Sequence, residues 1–328
     1  MEKETSLLKT FIARSAAEMD RISPVWERLY TGADATMFQS FEWNRLAAAQ
    51  FAQREAPYVV CVESDSGAAV VPAAVASDHL TFLGELLFDY RGVLAAGDPE
   101  ILKYAWATLA ALRLPLHMTA LRGESSCGLY RGLEPEFFVN APGVRMTDIS
   151  AEKFASQHTR LGRYRRRLER QGIHVRRYNG MATSVIASIY GQKAEQFAGP
   201  DNIFADVKRI EFITRAAAMQ PERCDVFTLE SLGATVAGLI TFRDGGVRRF
   251  YTVYFDPAFA RSSPGTVLIY EATRQSLAAG LDCDYMTGEQ PHKTRFATHK
   301  VPLFKVQASA EALARAAGPW EVVSEPAA

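Results

Sequence analysis

The residues best suited to chemistry lie close together in Val247–Lys293. The loop Gly288-Glu289-Gln290-Pro291-His292-Lys293 carries a carboxylate, an imidazole and an ammonium, with Arg295 just beyond. Acyl transfer to an amine uses such groups. A carbonyl must be polarised, the attacking amine must be neutral and shed a proton, and the leaving group needs a proton or a positive neighbour. Glu289 is the candidate base; its alternative is an ordinary surface carboxylate. Lys293 is a candidate for holding an oxyanion or a phosphate, or else for a salt bridge to Asp284 or Glu289. Asp284 alternates with Tyr285 along a strand and so faces either a cleft or a buried partner. Tyr251 and Tyr254 are candidate general acids, although aromatics on interior strands mostly fill a core.

The elements around these residues can be read in turn. Val247–Phe255 is aromatic and β-branched on both faces, the pattern of an interior strand. Asp256-Pro257 closes it. Ser262-Ser263-Pro264-Gly265 sets up a helix start, with serine for the cap and proline in the first turn. The helix runs Gly265–Ala279 and stops at Gly280, and Leu281–Thr287 is the next strand. A helix entered through Ser, Pro and Gly presents backbone N–H groups that suit a phosphate. An ordinary strand–turn–helix connection is the competing reading.

Further upstream, Phe38 and Trp43 read as core aromatics ahead of a helix. Tyr58–Glu63 and Ala69–Val75 form a hairpin around Ser64-Asp65-Ser66-Gly67. Leu83–Gly97 is loop-like, Pro99–Leu112 a helix, Leu116–Leu121 a strand and Ser126–Leu133 a short helix. Phe137–Val139 and Arg145–Asp148 read as short strands. At ~100° per residue, Arg160, Arg163, Arg166, Arg167 and Arg170 share one helical face, opposite Leu161, Tyr164 and Leu168. That stripe is either a solvated basic face or a phosphate-binding one. Helices Thr183–Phe197 and Asp206–Met219 are separated by Gly199-Pro200-Asp201-Asn202. Three strands joined by tight turns follow: Cys224–Ser231, Val236–Arg243 and Val247–Phe255. Leu303–Ala308 is a last strand and Ala310–Ala317 a last helix, before a loose tail over Ser324–Ala328.

Tyr251, Tyr254-Phe255-Asp256-Pro257, Ser263-Pro264-Gly265, Asp284-Tyr285-Met286, Gly288-Glu289 and His292-Lys293 occur in an order that resembles the second half of the FemAB/CelD-like (BioF2-like) branch of the GNAT acyl-CoA N-acyltransferase superfamily. Phe38-Gln39-Ser40-Phe41-Glu42-Trp43 and the Arg160–Gly172 helix resemble two further landmarks of that branch. The resemblance implies an α/β (α+β) fold of tandem GNAT-like domains, each a mixed, largely antiparallel sheet flanked by helices, divided here as 1–149 and 150–328. It implies that the strand-to-helix turn holds a donor's pyrophosphate, through Tyr251, Val253, Arg261, Ser262, Ser263, Gly265 and Thr266. It places Asp89 and Tyr90 at a substrate cleft, with Arg163, Arg167 and His292 as further substrate contacts. Lys293 matches a family lysine; His292 stands where tyrosine is more usual. The superfamily's Q/R-x-x-G-x-G/A loop is only partly present. The donor is therefore open between acyl-CoA, an acyl-carrier phosphopantetheine and an aminoacyl-tRNA. No permanently bound cofactor is implied. The implied activity is N-acyl transfer to an amine of a small metabolite, sugar or amino acid. The alternatives are a Fem-type aminoacyl-tRNA-dependent ligase, with the arginine stripe meeting tRNA or a carrier protein, and a catalytically degenerate scaffold subunit.

The 328-residue chain has 48 % hydrophobic and 23 % charged residues, ordinary for a globular protein of two domains. Lys plus Arg equals Asp plus Glu, 37 each, so bulk charge argues for neither a nucleic-acid nor a membrane partner. Cys61, Cys127, Cys224 and Cys283 form neither a metal pair nor a disulfide framework, which suits a reducing cytoplasm. The N-terminal residues lack the pattern of a signal peptide, and the longest apolar run is too short to span a bilayer. No G-x-S-x-G elbow or G-x-x-x-x-G-K-[ST] loop is present. The six histidines show no zinc spacing. Cys283, within an apolar strand, reads as an inert buried thiol.

Overall fold

The computed structural model describes residues 8–84, 87–122, 133–197, 199 and 202–318. The short helix expected over Ser126–Leu133 falls outside them except for Leu133, as do Cys127, Pro200-Asp201 and the Ser324–Ala328 tail. The chain forms two compact units, Met1–Val139 with Pro302–Ala328, and Asn140–Val301.

In the first unit, strands Lys9–Ala13, Val59–Ser64, Gly67–Val71 and Leu94–Gly97 pair antiparallel in that order. Helix Pro99–Ala110 is capped by the Asp98 carboxylate, which accepts the Glu100 N–H at 2.9 Å. It buries Ile101, Trp106 and Leu109 in a core with Val60, Val62 and Val71. The strand His299–Ala308 pairs antiparallel with Leu116–Arg122, and helix Ala310–Ala317 adds Leu313 and Ala317 to that core. This burial explains why the C-terminal segment belongs to the first unit, which differs from the expected division at 149/150. Phe38 and Trp43 are 1 % and 2 % exposed and meet edge to face at 5.3 Å, as the core reading expects.

In the second unit we label strand Glu136–Val144 β1, helices Ala151–Gln157 and Thr159–Arg170 α1 and α2, strand His174–Asn179 β2, and helices Thr183–Gln196 and Val207–Met219 α3 and α4. Strands Cys224–Ser231, Ala234–Asp244 and Val247–Phe255 are β3, β4 and β5, helix Pro264–Ala278 is α5, strand Asp282–Asp284 is β6 and helix Pro291–Phe296 is α6. The sheet order is β2-β3-β4-β5-β6-β1. Only β5 and β6 pair parallel, because α5 carries the chain between them. The reading of Arg145–Asp148 as a strand is corrected: β1 ends at Val144, and the residues after it turn.

Helix α2 is amphipathic as its period requires. Leu161 and Leu168 are buried in a core with Phe154, Val267 and Tyr270, while Arg160, Arg163, Arg166, Arg167 and Arg170 are exposed. Helix α3 crosses β4 so closely that a Cβ on Gly238 would lie 2.4 Å from Ile189. Among the described residues no helix is long and apolar enough to cross a membrane.

Candidate acyl-transfer site

The site begins where β5 and β6 part. They pair only at Val247, Arg248 and Arg249 against Asp282, Cys283 and Asp284. The strand expected to run to Thr287 stops at Asp284, and the reason is local chemistry. The Asp284 carboxylate accepts the Met286 N–H at 2.8 Å, and Met286 takes φ 62°. A side chain that satisfies a backbone donor two residues on turns the chain out of the ladder. The other Asp284 oxygen accepts from Arg249, which also donates to Asp244 at 2.6 Å. Asp284 therefore ties β5 to β6. It is not among the residues that line the cavity beside them.

Beyond the fork, Phe250–Phe255 has no partner in β6, and a cavity of about 290 Å³ opens against it. Strand β5 contributes Tyr251, Val253 and Phe255 to the walls, and α5 contributes Ile269. Lys193 and Phe197 come from the end of α3, and His292 and Lys293 from α6. Among the described residues that line it there is no Asp or Glu.

The first turn of α5 stands over the same walls. A Cβ on Gly265 would be 3.3 Å from Phe255 and 3.5 Å from Val253. Ser263 occupies the cap position in the left-handed region, φ 48° and ψ 50°, and its side chain makes no cap hydrogen bond. Serine thus stands at the expected cap position, with Pro264 in the first turn, but without a side-chain cap hydrogen bond. The first helical bond is Val267 N–H to the Ser263 carbonyl at 3.0 Å, which leaves the Gly265 and Thr266 amides ahead of it. Ser262, Ser263 and Thr266 are partly exposed and Arg261 exposed around this tip.

Electrostatics within the cavity are one-sided. Lys193 has its pKa brought down to about 8, first by desolvation and then by the charge of Lys293. Its ammonium lies 4.1 Å from the centre of the Phe204 ring. Burial lowers the His292 pKa, assisted by Lys293 and Arg295, so its imidazole is neutral near pH 7. His292 Nε2 is buried and has no hydrogen-bond partner among the described residues. Lys293 donates to the Thr287 carbonyl.

Several expected site residues lie elsewhere. Glu289 is exposed, ion-paired to Lys300 and bonded by Asn140 Nδ2 at 3.0 Å. Lys300 and Asn140 hold its pKa below the usual carboxylate range, and it does not line the cavity. Tyr254 is 6 % exposed and also outside the lining; burial, then Asp256 and Glu195, push its hydroxyl pKa upward. Asp89 and Tyr90 belong to the first unit, where Tyr90 is 1 % exposed and packs 6.0 Å from Phe38. Burial raises the Cys283 thiol pKa to about 12, which makes it inert as expected. Lys193 was not legible as a site residue, since nothing in its helix distinguishes it from a surface lysine. The described cysteines, Cys61, Cys224 and Cys283, are free and buried.

Residues 155–294 match the family model described as Acetyltransferase (GNAT) domain. That stretch, which holds the fork between β5 and β6 and the start of α5, is therefore similar to a GNAT acetyltransferase domain. The fold of the chain is similar to that of the C-terminal domain of a putative lysylphosphatidylglycerol synthetase from Agrobacterium fabrum, at 12 % identity and TM-score 0.61, covering 91 % of this chain and 95 % of that one. It is similar to a tandem GNAT protein from the clavulanic acid biosynthesis pathway, at 12 % identity and TM-score 0.56, covering 96 % and 100 %. FemX is a third such structure, at 9 % identity and TM-score 0.54, covering 90 % and 96 %. No curated protein sequence matches the chain.

Proposed function

We propose that the protein transfers an acyl group from acyl-CoA, or from an acyl-carrier phosphopantetheine, to an amine of a small metabolite, sugar or amino acid. The observation that carries this reading is the β5–β6 fork, which opens a cavity walled by Val253 and Phe255, the residues that the first turn of α5 also touches at Gly265. The amides of Gly265 and Thr266 would hold the donor's phosphates, with Arg261, Ser262 and Ser263 beside them. The unpaired edge of β5 at Tyr251–Val253 would accommodate the thioester arm. The acceptor amine attacks the carbonyl carbon, the C–S bond breaks, and the amine's proton passes to neutral His292. Lys293 would stabilise the developing oxyanion or the departing thiolate. Glu289, already ion-paired outside the cavity, has no part in this scheme.

Calorimetry with acetyl-CoA and longer acyl-CoA thioesters tests the reading. Binding is expected, with a loss in Gly265→Val, whose side chain would crowd Phe255. Absence of heat at millimolar thioester, and with a loaded carrier protein, would sink it. A Fem-type use of tRNA is the second reading. It is favoured by the exposed Arg163, Arg166 and Arg167, which have no acidic partner among the described residues.

A further inference from the structure

We infer that the protein carries an anion site for a phosphate group where Arg177 and Arg243 flank the buried Asp225–Arg248 pair; this does not depend on the acyl-transfer reading. Arg177 comes from β2, Asp225 from β3, Arg243 from β4 and Arg248 from the start of β5. One carboxylate there serves three guanidiniums. Arg177 Nε donates to Asp225 Oδ1 at 2.9 Å, and its Nη2 lies 2.8 Å from the same oxygen. Arg248 Nη1 donates to Asp225 Oδ2 at 2.5 Å, while its Nε donates to Ser276 Oγ of α5 at 2.7 Å. Arg243 Nε stands 3.4 Å from that same Oδ2, and it is buried with no hydrogen-bond partner among the described residues.

Charge decides the ligand. Three guanidiniums against one carboxylate leave an excess of two positive charges, and among the described residues none of the three has another acidic partner. Glu222 gives Arg243 its backbone carbonyl, not its carboxylate. A phosphate group carries about −1.5 to −2 near pH 7 and so offsets the excess, whereas a single carboxylate offsets half of it. Its oxygens also match the forked donors of arginine. The approach is open on one side only: the side chains of Arg177 and Arg243 are 49 % and 40 % exposed, those of Arg248 and Asp225 4 % and 7 %. The inner pair therefore holds the outer pair in place, and a ligand meets the outer pair. Because both outer guanidiniums reach the same carboxylate, they stand one carboxylate apart, within the reach of a single phosphate. Arg177 is braced besides over the Phe227 ring, 5.6 Å from its centre. Arg248 stands about 16 Å before Val253 at the usual rise of a strand, so this site is separate from the cavity at the fork.

The test is calorimetric titration of the whole chain with inorganic phosphate and with glycerol 3-phosphate, at constant ionic strength in chloride. Binding of at least one is expected, and the tighter of the two shows whether the site takes free phosphate or a phosphate ester. Arg177→Gln and Arg243→Gln are each expected to weaken that binding roughly tenfold, the scale of one lost charge-assisted hydrogen bond. Arg28→Gln, in the first unit, is expected to retain it. Should the variants not fold, hydrogen exchange on wild-type protein locates the ligand: phosphate is expected to slow exchange in Arg176–Asn179 and Glu222–Asp225. No binding of either compound, undiminished binding in Arg177→Gln or in Arg243→Gln, or protection confined to other segments would overturn the inference. A phosphate held at the α5 tip would be indifferent to both variants, so failure here and failure of thioester binding are separate results.

Discussion

At the scale of single residues, the pH response should follow two groups on the cavity wall. His292 must be neutral to accept a proton, and burial, Lys293 and Arg295 keep its pKa below the ordinary 6.5. Protonation therefore removes activity only as pH falls through that depressed value, and the acid limb of kcat/KM should lie below pH 6.5. Lys193 works in the opposite sense. It loses its proton as pH rises through about 8, so the cavity should become less positive on that side, which an NMR titration of the lysine side chains would read. His292→Gln is expected to lower kcat/KM about 10²-fold, the usual scale for losing a general base, and to abolish the acid limb. An acid limb that survives in the variant would remove His292 from the mechanism.

At the scale of elements, the fork between β5 and β6 depends on one buried charge cluster. Arg249 bridges Asp244 and Asp284, and its side chain is 9 % exposed. Removing it takes the guanidinium from two largely buried carboxylates, and breaking such a pair costs about 3 kcal/mol. Arg249→Ala should therefore lower the free energy of unfolding in urea melts by about 3 kcal/mol, seen as a lower midpoint without a comparable change in the slope. Asp284→Asn separates a clamp from a catalytic base. The clamp reading expects a lower unfolding midpoint and kcat within a few-fold of wild type once the protein is folded. A base at this position would show the reverse, a large loss of kcat at unchanged stability. The same cluster explains why the site exists. A longer β6 would pair with Phe250–Phe255 and close the cavity.

At the scale of the whole molecule, the zero net charge conceals an uneven surface, since five exposed arginines share one face of α2. If that face meets a phosphate backbone, Arg163→Ala, Arg166→Ala and Arg167→Ala combined should weaken tRNA binding and reduce its log–log salt slope by about 2–3. Unchanged binding in filter assays would leave the stripe a solvated face. The amino-acid sequence by itself determined the run of three strands from Cys224 to Phe255, the helix that follows it, the buried face of α2, the core roles of Phe38 and Trp43, and the inert Cys283 thiol. Each of these is set by local periodicity or by the turn chemistry of Gly, Pro and Ser, which acts over a few residues. Only the tertiary structure decided that β6 stops at Asp284, that Glu289 is ion-paired to Lys300, that Ser263 leaves the α5 tip uncapped, and that the last strand belongs to the first unit. It alone brought Lys193 beside Lys293. Such outcomes depend on which side chains meet across long stretches of chain, and on the desolvation that follows, and neither has a signature in spacing or composition.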